Sequence, residues 1–199
     1  TELVYKNEIN TIKKVFRKSE SKDQSIYWEI FLASTINIRD KNDTEIDSFA
    51  LEALKKFKGN KQIKTISSFV LYGQENILKS KTLYEEGIHL FETTNFKAAS
   101  EKFSEAALLN PLEYIYFENA GMSLVKLKDF EAAIPFFNKV IDSELIVNPE
   151  TGKSEYGIGI AYVELGKVDK ACLFLTESFK FNYKPALREI SEFCGKKKN

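Results

Sequence analysis

Three stretches of this 199-residue chain spell one pattern. The first runs Gly87-Ile88-His89-Leu90-Phe91, then Asn95-Phe96-Lys97-Ala98-Ala99, then Phe103, Ala106 and Pro111. Thirty-four residues on come Gly121-Met122-Ser123-Leu124-Val125, Asp129-Phe130-Glu131-Ala132-Ala133, Phe137 and Val140. Thirty-eight further on come Gly159-Ile160-Ala161-Tyr162-Val163, Lys167-Val168-Asp169-Lys170-Ala171 and Leu175. Each unit reads as a helical hairpin. Leu83, Gly87 and Leu90 are spaced for one helix face, and Ala99, Phe103 and Ala106 for another. Asn95 and Asp129 stand just ahead of the second helices, where a side-chain oxygen caps free backbone N–H groups. Glycine and alanine allow close helix approach, and Phe96, Phe103, Phe130 and Phe137 fill the space between. Pro135 falls inside a predicted helix and predicts a slight bend, because it removes one backbone bond. The four extra residues of the longer interval fall in 143–155, a loop by its Pro149 and Gly152.

The pattern resembles the tetratricopeptide repeat (TPR) family over residues 80–183. The first repeat matches that family's preferred residue types at Leu83, Gly87, Leu90, Phe96, Ala99, Phe103, Ala106 and Pro111. The second matches at Phe117, Gly121, Leu124, Phe130, Ala133 and Phe137 but lacks the closing proline; the third keeps Gly159, Tyr162, Gly166 and Ala171 and departs at Glu155 and Ser178. Pro185 then opens a further helix, with Leu187, Ile190 and Phe193 on one face, that would cap the open end of the stack. Lys196–Lys198 read as a soluble tail.

Composition excludes several classes. Lys+Arg and Asp+Glu both number 29, so there is no basic excess of the kind phosphate backbones require. A hydrophobic fraction of 43% supports a packed core rather than disorder. No run of 18 apolar residues predicts a membrane span. Only Arg17, Arg39 and Arg188 are arginines, against abundant lysine, asparagine and isoleucine, a bias of AT-rich genomes. The first residue is Thr1, so a removed leader or anchor stays open, and both cytoplasmic and envelope-associated locations fit.

The N-terminal half, residues 1–75, is expected to be a small α+β module ahead of a TPR domain at 76–199. Residues 2–17 read as an amphipathic helix with Tyr5, Ile9, Ile12 and Phe16 on one side; 19–24 is a polar break. In 26–38, Ile26, Trp28, Ile30, Leu32, Ile36 and Ile38 alternate as in a strand. Thr44 with Asp47 resembles a capping box for a helix carrying Ile46, Ala50, Leu54 and Phe57, ended by Gly59. Residues 63–72 again favour a strand. The alternative is an all-α chain in which 26–38 and 44–58 form a degenerate helical hairpin.

Candidate chemistry is sparse. His89, the only histidine, lies near Glu85 and Glu92, but a zinc site needs three or four strong ligands, and a helix-packing role is the simpler reading. Gly152-Lys153-Ser154 imitates the end of a phosphate loop, yet Val147 stands where the leading glycine belongs. Gly157-Ile158-Gly159 lacks the third glycine of a dinucleotide fingerprint and falls inside a helix. Cys172 and Cys194 are too few for a disulfide framework and read as small buried hydrophobes; a bond between the third repeat and the capping helix is the other reading. No cofactor, metal or catalytic set is expected.

The family resemblance implies a protein-binding concave face built by the first helix of each repeat. Carried over by position, that face consists of Tyr84, Ile88 and Phe91, then Ile115, Glu118, Met122 and Val125, then Tyr156, Ile160 and Val163. Lys81, Glu92, Lys126, Lys153 and Glu164 would rim it. One subclass of the family grips a chaperone's C-terminal carboxylate with a Lys/Asn/Arg clamp. Asn119 and Lys153 fit that clamp, but Tyr84, Ile88 and Gly157 do not, so no chaperone-tail binding is expected. The resulting expectation is a non-enzymatic scaffold that takes an amphipathic helix or an extended apolar segment and stabilises a partner in a bacterial envelope complex. The N-terminal module would dock a second partner or form a homodimer through a strand edge. The alternative function is a small-molecule or catalytic N-terminal module, with Tyr27 and Trp28 lining its pocket.

Overall fold

The computed structural model describes residues 2–19, 23–37, 43–146 and 152–195. Residues 20–22, Ile38, Val147, Pro149 and the lysines at 196–198 lie outside the described residues. The chain divides into two compact units, Thr1–Leu78 and Lys79–Asn199.

The first unit contains α1 (Glu2–Lys18), α2 (Ser25–Thr35), α3 (Thr44–Lys56) and α4 (Lys61–Tyr72), and no strand among the described residues. The expected α+β module is therefore corrected to the all-helical alternative. The reason is visible in α2. Its buried residues are Trp28, Phe31, Leu32 and Thr35, an i, i+3, i+4, i+7 set, while Ile26 and Ile30 are exposed. A helix apolar on nearly every side shows both periods at once, and its β-branched residues favour the wrong one. In α4 the buried set is Ile63, Ser67, Ser68 and Val70. The serines are polar by type but small, and Ser67 Oγ donates to the Ala50 carbonyl of α3 at 3.4 Å. Close helix approach, not hydropathy, places them inside.

Aromatic rings fill this unit's core. Phe16 stacks on Phe31 with centroids 3.9 Å apart and meets Trp28 edge-on at 4.8 Å; Phe49 closes the group at 5.2 Å from Phe31. The start of α3 also differs from expectation. Asp43, not Thr44, is the N-cap, accepting from the Ile46 N–H at 3.3 Å. Its other oxygen holds the nearly buried Lys13 ammonium at 2.6 Å, and Glu45 lies 3.2 Å from the same nitrogen. Asp43 thus caps one helix and neutralises a charge on another. Asp43→Ala is expected to cost about 2 kcal/mol, with Asp43→Asn costing less because the amide oxygen keeps the cap. Urea unfolding followed by the fluorescence of the single tryptophan, Trp28, measures both.

The second unit holds the rest of α5 (Gln74–Glu92), then α6 (Phe96–Leu109), α7 (Tyr114–Lys126), α8 (Phe130–Ile141), α9 (Lys153–Glu164), α10 (Val168–Lys180) and α11 (Ala186–Glu189), which runs into a π-turn at Ile190–Cys194. Sequential helices pack on one another, α6 on α7, α7 on α8, α8 on α9 and α9 on α10, and α7 also reaches α9. The turns inside the three hairpins, α5–α6, α7–α8 and α9–α10, share one hydrogen bond. Asn95, Asp129 and Lys167 donate backbone N–H bonds of 2.9 Å to the carbonyls of Leu90, Leu124 and Tyr162. The residue before each, Thr94, Lys128 and Gly166, has φ of 61°, 63° and 70°. Glycine adopts that conformation freely; threonine and lysine hold it at a cost. Asn95 and Asp129 cap α6 and α8 through their side chains, whereas Lys167 supplies no side-chain cap.

The repeat glycines make room for large side chains of the neighbouring helix. A Cβ at Gly87 would lie 2.6 Å from the Phe103 ring, and one at Gly159 would lie 2.7 Å from Leu175. Pro135 sits inside α8. The capping element differs in its face: Ala186 is buried and Ile190 and Cys194 pack with it, while Leu187 is 54% exposed.

Candidate functional site

The face shared by the first helices α5, α7 and α9 is where the resemblance places binding. Its side chains lie partly in the packing between helices. Tyr84 sets its ring 5.7 Å from Phe103 and 5.1 Å from Tyr116. Ile88 and Phe91 lean on the buried group Ala99, Phe103 and Ala120. Ile115 leans on the group around Ala107, Tyr116 and Phe117. Met122 and Val125 border Ala133, Phe137 and Ile158, and Tyr156 and Val163 border Ala171, Leu175 and Ala186. All of these, and Ile160, are half-buried, so each keeps a fraction of apolar surface in solvent while its base is fixed. A half-buried side chain loses little further rotamer freedom on meeting a ligand, which favours binding.

Glu118 departs from the other nine. It is 0% exposed. Ser154 Oγ donates to its Oε1 at 2.7 Å, and Lys153 Nζ stands 3.4 Å from its Oε2. The carboxylate therefore serves as a joint between α7 and α9 and offers no accessible atom to a partner. A second, weaker joint links α5 to α7, where Asn119 Nδ2 donates to the Tyr84 hydroxyl at 3.5 Å. The adjacent tyrosines are tuned by burial: it raises the Tyr116 hydroxyl above its ordinary value, and it does the same to Tyr156, with the nearby Glu189 carboxylate adding to the rise.

The same geometry accounts for the incomplete carboxylate clamp. Lys153 fits the clamp by position, but its charge is engaged by Glu118. At Gly157 any Cβ would fall 2.5 Å from the Phe137 ring, so an arginine has no room there. Gly152, Lys153 and Ser154 are likewise not a phosphate loop. Gly152, at φ 94°, precedes α9, its carbonyl accepts from Ser178 Oγ at 2.5 Å, and Ser154 is buried on Glu118. Gly157-Ile158-Gly159 lies within α9. Lys81, Glu92, Lys126 and Glu164 are exposed.

His89 is exposed, not in the packing layer as its simpler reading expected. Among the described residues no group of three histidine, cysteine or acidic side chains could hold a metal, and no helix is long and apolar enough to cross a membrane. Cys172 and Cys194 are bonded to each other, where the sequence favoured two separate buried thiols.

In the first unit the pocket expected around Trp28 does not form, because Trp28 is 1% exposed within the aromatic core. Tyr27 lines an apolar groove of about 340 Å³ with Thr11, Ile12, Val15 and Ile30, and no carboxylate lines it among the described residues. A cavity of about 540 Å³ near Tyr72 and Gly73 has one acidic side chain, Glu75, among the described residues of its wall. Among the described residues, neither lining brings acid and base groups together.

Comparison with known proteins concerns the fold. A family profile described as tetratricopeptide repeat matches residues 116–144, which cover most of α7 and all of α8. The TPR domain of Arabidopsis OM64 is similar at 19% identity over 59% of this chain and 98% of that domain, with a TM-score of 0.51. The TPR2AB domain of yeast Sti1, solved as a complex with pHSP90, is similar at 18% identity over 95% of this chain and 77% of that one, with a TM-score of 0.52. No curated protein matches the chain by sequence.

Proposed function

We infer that this chain, which carries tetratricopeptide repeats, is a non-enzymatic protein-interaction scaffold whose first-helix face takes a protein partner. The observation that carries the reading is the row of half-buried apolar side chains from Tyr84 and Ile88 through Met122 and Val125 to Tyr156 and Ile160, which keep some surface in solvent along the repeat cores. Apolar area of this kind along stacked helices is unusual unless it meets something. With Lys153 engaged by Glu118 and position 157 closed to larger side chains, the ligand is an amphipathic helix or an extended apolar segment that needs no free C-terminal carboxylate. We further propose, from the AT-rich composition bias and the habits of the family it resembles, that the partner belongs to a bacterial envelope complex, which the scaffold stabilises.

The first unit adds a second docking surface at Val15 and Ile30, which are 66% and 63% exposed. A homodimer through a strand edge is withdrawn, since no strand occurs among the described residues.

The test is Ile88→Asp combined with Met122→Asp. Cross-linking and mass spectrometry from native cells are expected to recover a partner with the unaltered chain and lose it with the variant, while the helical circular-dichroism signal stays. Equal recovery by both rejects this face as the binding surface.

A further inference from the structure

The third repeat ends in a cap that its own packing holds poorly. The α-helical part spans only Ala186–Glu189 before the π-turn at Ile190–Cys194, far short of a segment that is helical by itself. Ala186 is the one residue of this element that is fully buried. Ile190 and Cys194 are half-buried, and Leu187, Arg188, Ser191 and Glu192 are exposed. A side-chain hydrogen bond across the joint, from the Tyr156 hydroxyl to Glu189 Oε1, is long at 3.4 Å. Against this stands one covalent tie. Cys194, the last residue of the turn, is bonded to Cys172 in α10, with Cα atoms 5.6 Å apart at a sequence separation of 22. Both cysteines are partly exposed, so a reductant can reach them.

The cap does more than end the stack. Ile190 and Cys194 pack in the same cluster as Tyr156 and Val163, two residues of the first-helix face. We propose that the Cys172–Cys194 disulfide is a redox latch: closed, it holds the cap against α9 and α10 and braces Tyr156 and Val163; opened by a dithiol reductant, it releases the cap and loosens that end of the face. The exchange is balanced. One reductant thiolate attacks a cystine sulfur, forming a mixed disulfide and freeing one cysteine thiolate. The second reductant thiol displaces the other cysteine, so the reductant leaves as its own disulfide and the chain gains two electrons and two protons as two thiols. The latched form belongs to oxidising surroundings and the open form to reducing ones. Only the consequence for binding rests on the function proposed above; release of the cap does not.

The full chain, isolated without reductant and denatured in iodoacetamide, is expected to take no label, and two labels after dithiothreitol. Hydrogen exchange by mass spectrometry is expected to quicken by about tenfold or more at residues 186–195 on reduction, and less strongly at 153–163, with α6 to α8 unchanged. Cys172→Ser with Cys194→Ser is expected to exchange like the reduced chain and to ignore dithiothreitol. Two labels before reduction, or exchange at 186–195 that reduction does not alter, overturns the latch. If the cap is released and a partner recovered by cross-linking binds as before, the latch stands and it is the placement of binding on Tyr156 and Val163 that fails.

Discussion

Phe137→Ala is expected to lower the unfolding free energy by about 3–5 kcal/mol, near the upper end for a single core truncation. The ring is 0% exposed. It fills the space left by two glycines on different helices: a Cβ at Gly121 would come within 2.8 Å of it and one at Gly157 within 2.5 Å. Because those walls are helix backbone, they cannot relax into the hole as flexible side chains would, and the cavity stays open. The converse change is informative too. Gly157→Ala overpacks the same ring and is expected to cost about 1–3 kcal/mol. In the Phe137→Ala background the added methyl instead enters the cavity, so the double variant is expected to be more stable than the sum of the singles implies. Urea unfolding by circular dichroism of the four-member cycle measures this. Simple additivity means that the glycines do not make room for the ring.

The second large effect concerns the joint between α7 and α9. Lys153→Met is expected to cost about 3–5 kcal/mol, because the Glu118 carboxylate stays wholly buried after its 3.4 Å cation is removed. Glu118→Gln is expected to cost less, about 1–2 kcal/mol, since the amide oxygen keeps the Ser154 bond and Lys153, partly exposed, turns to water. Glu118→Leu with Lys153→Met is expected to recover most of the loss, as replacing a buried pair by apolar groups of similar size often does. Chemical unfolding ranks the three. If Glu118→Gln proves as costly as Lys153→Met, the charge on Glu118 is not what requires Lys153. Binding separates packing from recognition here: a partner held by apolar contacts along Ile88, Met122 and Ile160 is expected to survive Glu118→Gln, since that carboxylate touches no solvent.

Much of the second unit was legible in residues alone. Gly87, Gly121 and Gly159 paired with Phe103, Phe137 and Leu175 appear as a period in the sequence because each pair joins neighbouring helices at a fixed separation, and Asn95 and Asp129 announce helix starts by chemistry that acts within three residues. In the first unit the strand pattern of 26–38 and 63–72 competes with the helices that form there, Ser25–Thr35 and Lys61–Tyr72. There Trp28, Phe31, Leu32 and Thr35 carry the helical period, but Ile26 and Ile30 on the outer side blur it. No fixed interval repeats in that half to arbitrate.

The sequence by itself determined the three hairpins and which face of each helix is apolar, since both follow from contacts between residues a few turns or one hairpin apart. Only the tertiary structure decided that Glu118 is enclosed with Lys153 and Ser154 instead of facing a ligand, and that Cys194 reaches Cys172. Those outcomes depend on which neighbour covers a side chain at separations of 36 and 22 residues, and neither distance leaves a trace in local periodicity.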